Sequence, residues 1–174
     1  MASMDVERLR RLMVLRHAKS AWPDVPDHER PLASRGRRDA PAVGRWLRAE
    51  GCLPDRVVCS TARRARETWE LVSAELDPVP DVAFDKRVYD ASVPELLEVV
   101  HGLPDDAPTS LLVGHNPGFH ELTFALAGSA DGDALERLQV KFPTAGIAVL
   151  AFTGPWAALT SGSARLTRFA TPRG

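Results

Sequence analysis

Three short apolar runs constrain this chain more than any other feature. They are LMVL (Leu12 to Leu15), RVVC (Arg56 to Cys59) and SLLVG (Ser110 to Gly114). Each is too short for a buried helix, and each fits a strand covered on both faces. Stretches of helical periodicity lie between them. A strand that returns parallel to its neighbour needs a crossover of a dozen or more residues, usually a helix. The alternation therefore predicts an α/β fold, a three-layer sandwich with helices on both faces of a mostly parallel central sheet. The 174 residues fit one domain over 1–174, long enough to bury a full core.

The helical stretches carry their own stops. In SRGRRDAPAVGRWLRAEG, Ala40, Val43 and Leu47 share a face, and Gly51 suits the end. Pro41 lacks the N–H that a helix interior uses, so a kink or a later start is expected there. TARRARETWELVSAEL puts Ala65, Trp69, Val72 and Leu76 on one face. SVPELLEVVHG opens with the capping-box pair Ser92 and Glu95 and closes at Gly102. NPGFHELTFALAG predicts a helix with Asn116 as N-cap, Pro117 at the first position and Gly128 after the end. GIAVLAF (Gly146 to Phe152) and RLTRFA (Arg165 to Ala170) read as closing strands. The second alternates as an edge or half-exposed strand does.

Composition removes several classes. The net charge is -1 and the pI about 6.5, which argues against nucleic acid as a partner. Two cysteines, Cys52 and Cys59, are too few for a disulfide framework and suit a reducing, cytoplasmic setting. The opening MASMDVERLRR is polar and lacks the apolar segment of a signal peptide. No apolar run approaches the roughly 20 residues of a membrane span, so no membrane partner is expected.

The three strands end in polar groups: Arg16-His17, Ser60-Thr61 and Gly114-His115. In a parallel sheet, ligands collect at the carboxyl ends of the strands, so these ends can converge on one pocket. Arg63, Arg64 and Arg66 crowd the first turn of the second helix, where the helix dipole already disfavours cations. A phosphate near that turn would resolve the conflict, since it takes paired bonds from an arginine and faces the helix N-terminus. Arg63 and Arg66 read as a solvated basic patch and Arg64 as the phosphate ligand. Guanidinium neighbours should depress the pKa of His17 by like-charge repulsion and leave its imidazole neutral. Two histidines with two arginines suit phosphoryl transfer: a nucleophile, and donors around the equatorial oxygens.

LRHAKS, CSTARRARET and LLVGHNPG resemble the three signatures of the histidine phosphatase superfamily, the phosphoglycerate-mutase-like, RHG-type group. Ala18 stands where the first signature has glycine. The second lies on Ser60, Arg64, Ala65 and Thr68, the third on Gly114 and His115. RPLASRGRRDA and FPTAGIAVLAF are similar to further segments of the family, and the compact size and RHAKS opening resemble its small SixA-type phosphohistidine phosphatases. The resemblance implies a phosphoglycerate-mutase-like fold. It also implies His17 as phosphorylated nucleophile, with Arg16, Arg64 and His115 binding the phosphoryl group, and no cofactor or metal.

Members acting on alkyl phosphates use an acidic residue after the second helix as general acid. In KRVYDASVPELL the candidate is Asp90, which a turn beside a cap explains equally, while Glu95 is assigned to the cap. Lys19 stands where mutase-like members carry glutamate. Lys19, Trp22, Ser60 and Asn116 are candidate phosphate or substrate contacts, and substrate contacts are also expected from the loops around Trp22 to Pro31 and Tyr89 to Pro94. His28, His101 and His120 lack metal-ligand spacing. Trp46, Trp69 and Trp156 read as core or half-buried, and Cys59 as a small apolar group. The leading expectation is a metal-independent phosphatase acting on a phosphorylated substrate, in particular a phosphohistidine protein. The alternatives are a phosphomonoesterase for a small metabolite phosphate and a phosphate-binding module without turnover.

Overall fold

A computed structural model of the protein describes residues 8–174. The first seven residues of the polar opening stretch, and the signal-peptide expectation that falls on them, lie outside the described residues. The strands are β1 (Leu9–Arg16), β2 (Arg56–Cys59), β3 (Asp81–Phe84), β4 (Thr109–Gly114), β5 (Ala127–Ala130), β6 (Ile147–Thr153) and β7 (Ala164–Ala170). The helices are α1 (Ser34–Ala49), α2 (Arg63–Ser73), α3 (Val93–His101), α4 (Gly118–Leu126) and α5 (Ala134–Val140). All seven strands join one sheet in the order β3-β2-β4-β1-β6-β7-β5. Only the pairings that involve β6 are antiparallel. Among the described residues no helix is long and apolar enough to cross a membrane.

The pleat divides the core in two. On β1, Met13 and Leu15 pack with Ala40, Val43 and Leu47 of α1 and with Ala65, Trp69 and Val72 of α2. Leu12 and Val14 point the other way, onto Leu96, Val99 and Val100 of α3 and Leu122 and Leu126 of α4. Both sets are buried. This is why the central strands read as unbroken apolar runs: side chains of both parities meet a helix layer. Cys52 and Cys59 are free and buried, and burial pushes the Cys59 thiol up to about 12, so it packs as an apolar group. Trp69 and Trp156 are core, and Trp46 is half-buried.

Several local expectations change. α1 runs without interruption through Pro41 and starts at Ser34, not later. The capping box of Ser92 and Glu95 and the end at Gly102 are formed as read. α4 begins at Gly118, after Pro117, and Asn116 does not cap it. Gly128 does not stop that helix either. It lies in β5 at a register shift, where a Cβ would meet the Gly162 carbonyl oxygen at 2.0 Å. β7 does alternate between buried and exposed residues, but β5 covers its outer side, so it is no edge. β3, β5 and α5 escaped the sequence reading. Each has four to seven residues and at most two buried side chains, too little for a periodicity to show.

One packing contact ties a helix to the strand end that carries His17. A Cβ on Gly36 of α1 would lie 2.2 Å from the backbone oxygen of Lys19, and that oxygen accepts a hydrogen bond from the Ala33 N–H. Overfilling such a contact costs about 1–3 kcal/mol. Gly36→Ala is therefore expected to lower the unfolding free energy by that amount, read as a lower midpoint of urea unfolding at an unchanged slope, and an unchanged midpoint would refute the contact.

Candidate active site

Strand register brings the polar strand ends together. Arg16 pairs with Gly114 and Cys59 with Val113 across the parallel ladder. The ladder continues one step further: His17 N–H donates to Gly114 O at 2.9 Å, and Ser60 N–H to Val113 O at 2.9 Å. His17, Ser60 and His115 thus leave three adjacent strands at one level. The rings of His17 and His115 lie 5.2 Å apart, and both are buried.

Hydrogen bonds settle the state of both imidazoles. His17 Nδ1 lies 2.7 Å from the carbonyl oxygen of Ala18. A carbonyl only accepts, so Nδ1 carries the proton and Nε2 keeps a lone pair. His115 Nε2 lies 2.7 Å from Ser60 Oγ, which also accepts from the Ala62 N–H. Among the described residues the Ser60 hydroxyl proton meets no other acceptor, so His115 Nε2 accepts it and the hydrogen of His115 sits on Nδ1. Both pKa values are depressed to about 3. For His17 the main cause is burial, followed by His115, with Arg64 and Arg16 adding less. The repulsion expected from the arginines is thus present but secondary to lost solvation. For His115 burial leads and Arg64 follows.

The arginines are held from behind. Arg16 donates from one terminal nitrogen to Phe142 O at 3.0 Å, and Asn116 Nδ2 donates to the same oxygen at 2.9 Å. Arg64 is buried, and its two terminal nitrogens donate to Asp27 O at 2.8 Å and Asp27 Oδ2 at 3.1 Å. Arg63 and Arg66 are exposed instead: Arg63 pairs with Glu67 and Arg66 donates to Thr61 O. Arg16 Nε, Arg64 Nε and His115 Nδ1 are buried N–H groups with no hydrogen-bond partner among the described residues. Thr68 locks the first two signatures together. It accepts from the Ala18 N–H at 3.0 Å and donates to Arg64 O at 2.7 Å.

The remaining candidates separate. Ser60 and Asn116 orient His115 and the Phe142 carbonyl as just described. Lys19 is exposed. Trp22 is 77% exposed and stacks under the Arg30 guanidinium at 3.5 Å. Asp90 is exposed and sits at φ 54°, a left-handed turn conformation that Asp tolerates. Its neighbour Tyr89 faces the site instead, with its ring 5.4 Å from His115 and 4.9 Å from His28. Tyr89 donates its hydroxyl to Asp27 Oδ2. Asp27 and Tyr89 were missed as site residues because both lie in loops without a periodic pattern. The only signal for them was their place in the two loops flanking the strand ends. Among the described residues, no three His, Cys, Asp or Glu side chains gather as a metal site.

The chain is similar to known proteins over nearly its whole length. The description of the histidine phosphatase superfamily (branch 1) matches residues 12–96, which hold every signature residue except Gly114 and His115. A solved structure named as a candidate phosphohistidine phosphatase SixA, from Nakamurella multipartitia, is 34% identical. It superposes with a TM-score of 0.85 over 97% of this chain and 99% of that one. The chain belongs to the histidine phosphatase superfamily. An uncharacterised protein of Mycobacterium tuberculosis (strain H37Rv) is 44% identical over 162 residues, 91% of this chain and all of that one. A phosphoglycerate mutase from Plasmodium falciparum shares the fold at 16% identity, with a TM-score of 0.64 over 95% of this chain and 93% of that one. This histidine phosphatase therefore has the phosphoglycerate-mutase-like three-layer sandwich, and it is a phosphatase.

Two buried neutral histidines make the stability of this phosphatase depend on pH. Unfolded, each titrates near 6.5; folded, near 3. Between those values the unfolded chain binds protons that the folded chain refuses. Stability therefore falls as pH drops below 6.5, by up to about 1.4 kcal/mol per pH unit per histidine. Asp27, whose pKa is depressed, adds its loss only below its unfolded value of 3.8. Urea unfolding at pH 6.5 and 5 should show a slope that shrinks in His17→Gln and again in the double variant with His115→Gln. A slope indifferent to both substitutions would contradict the burial argument.

Proposed function

We propose that this phosphatase works through a phosphohistidine intermediate on His17, without a metal, and that its substrate is a phosphohistidine protein. One observation carries the reading: a neutral imidazole with a free Nε2 lone pair lies within electrostatic reach of Arg16, Arg64 and His115, each of which carries a buried N–H with no hydrogen-bond partner among the described residues. A buried donor left unpaired costs about 1–3 kcal/mol, and reception of a phosphoryl group would satisfy the three that meet at these strand ends. His17 Nε2 attacks phosphorus while the bond to the leaving group breaks. The two guanidinium groups and His115 Nδ1–H take up charge on the phosphoryl oxygens. Water then attacks the phosphorus of phosphorylated His17, the Nε2–P bond breaks with its electron pair returning to Nε2, and dihydrogen phosphate leaves with the water's oxygen and protons.

The leaving group supports the choice of substrate. An alkoxide departs poorly and needs a positioned acid, worth about 10²- to 10⁴-fold. Asp90, the sequence candidate for that acid, is exposed and turned into a loop. An imidazole departs without such help. The structure named for a phosphohistidine phosphatase at 34% identity supports the same substrate class for this chain.

The test is turnover of phosphohistidine peptides, aryl phosphates and alkyl phosphates by purified protein. His17→Ala is expected to abolish activity on all of them with its fold intact, and Arg16→Ala, Arg64→Ala and His115→Ala each to cost about 10²-fold or more. Vanadate should inhibit and chelators should not. Rates should fall steeply with rising leaving-group pKa, leaving glycerol phosphate a poor substrate, and Asp90→Asn should scarcely alter turnover of activated substrates. A flat dependence that steepens in Asp90→Asn would transfer the assignment to a small-phosphomonoester phosphatase with Asp90 as its acid.

A further inference from the structure

Asp27 is a carboxylate where the proposed reaction brings a phosphoryl dianion. It lies one guanidinium away from the phosphoryl group that Arg64 would hold, and like charges that close disfavour each other. Arg64 and Arg30 already pair with that anion, so what it can offer a substrate is a place to accept one further hydrogen bond from a donor beside the phosphoryl group. Resting on the function proposed above, we infer that Asp27 recognises the leaving group: its carboxylate accepts a hydrogen bond from the protonated distal nitrogen of a phosphoimidazole.

Its geometry leaves room for that bond. An ionised carboxylate offers about four lone-pair sites. Arg30 Nε fills one on Oδ1 at 3.0 Å, while Arg64 and the Tyr89 hydroxyl fill those on Oδ2. One site on Oδ1 remains, on a side chain that is 51% exposed. The three donors fix the group in place and keep it ionised. Tyr89 contributes most, then Arg30 and Arg64, and together they hold the carboxyl well below the usual carboxylate range. Arg30 is itself buried and anchored on Ser20 Oγ at 2.8 Å and Ala21 O at 3.1 Å. A carboxylate clamped in this way is a poor proton donor and a good acceptor.

The chemistry balances without a proton from the enzyme. His17 Nε2 forms the new N–P bond. The substrate N–P bond breaks, its electron pair returns to the nitrogen that held phosphorus, and the distal nitrogen keeps its proton. The leaving group departs as neutral imidazole, and Asp27 stays ionised throughout. An alkoxide or aryl oxide brings negative charge to the same place and gains nothing from Asp27. The carboxylate therefore selects nitrogen-linked over oxygen-linked phosphoryl groups.

The experiment compares kcat/KM for phosphoimidazole and p-nitrophenyl phosphate in the wild type, Asp27→Asn and Asp27→Glu. Asp27→Asn is expected to lose about 10²-fold on phosphoimidazole and at least about tenfold less on the aryl phosphate, so that the ratio of the two collapses. Asp27→Glu should recover part of that ratio. In Asp27→Asn, phosphoimidazole turnover should also begin to fall at lower pH, since nothing then holds the distal proton. Equal losses on both substrates would make Asp27 only a prop for Arg64 and would overturn the inference, as would no loss on either. A wild type that hydrolyses the aryl phosphate but not phosphoimidazole would overturn the proposed function and this inference with it. That outcome shows in the wild type alone, whereas failure of the inference by itself shows only in the variant's ratio.

Discussion

Parallel pairing of β1 with β4, and of β4 with β2, sets where every side chain of the site stands. Arg16 opposite Gly114 and Cys59 opposite Val113 make three strands end within one residue of each other. A slip of one residue in β1 would exchange its two faces, putting Met13 and Leu15 among the partners of Leu12 and Val14. The buried side chains on both faces resist that slip, because each parity is matched to its own helix layer. Packing energy spread over the core is thus what holds two imidazole rings 5.2 Å apart.

The second signature acts as the hub of the site. Ser60, at its start, bonds His115 of the third signature, and Thr68, at its end, bonds the Ala18 N–H of the first. Between them Arg64 turns inward while its neighbours Arg63 and Arg66 stay in solvent. The spacing of that signature is that of a strand end followed by two turns of helix. Ala18, in place of the usual glycine, is fully buried and keeps both backbone bonds: its N–H to Thr68, its carbonyl from His17.

Charge in the site is arranged by burial more than by pairing. The histidines are neutral chiefly because water is excluded from them. The guanidinium of Arg64 is balanced by one carboxylate, Asp27, which also gathers Arg30 and Tyr89. The arginines can therefore receive an anion without the site carrying their full repulsion beforehand.

The central strands, the first three helix faces, the capping box and the level of His17 and His115 were legible in the sequence, because each is a local pattern: a period for strands and helix faces, a fixed spacing for the capping box, and a polar pair closing an apolar run. The strand ends could be aligned because parallel sheets present their carboxyl ends together. Asp27, Tyr89 and Arg30 were not legible. They lie in loops, and their meeting depends on how two segments about sixty residues apart fold over one strand end. Nor could composition show that burial, not the arginines, depresses the histidines, since exclusion of water is a property of the packed layers. β3, β5 and α5 belong with these, being placed by their neighbours in the sheet rather than by a pattern of their own. The sequence by itself determined the architecture and which side chains stand at the strand ends. Only the tertiary structure decided their protonation, their orienting partners and the carboxylate beside them, because those depend on contacts between segments that no local period encodes.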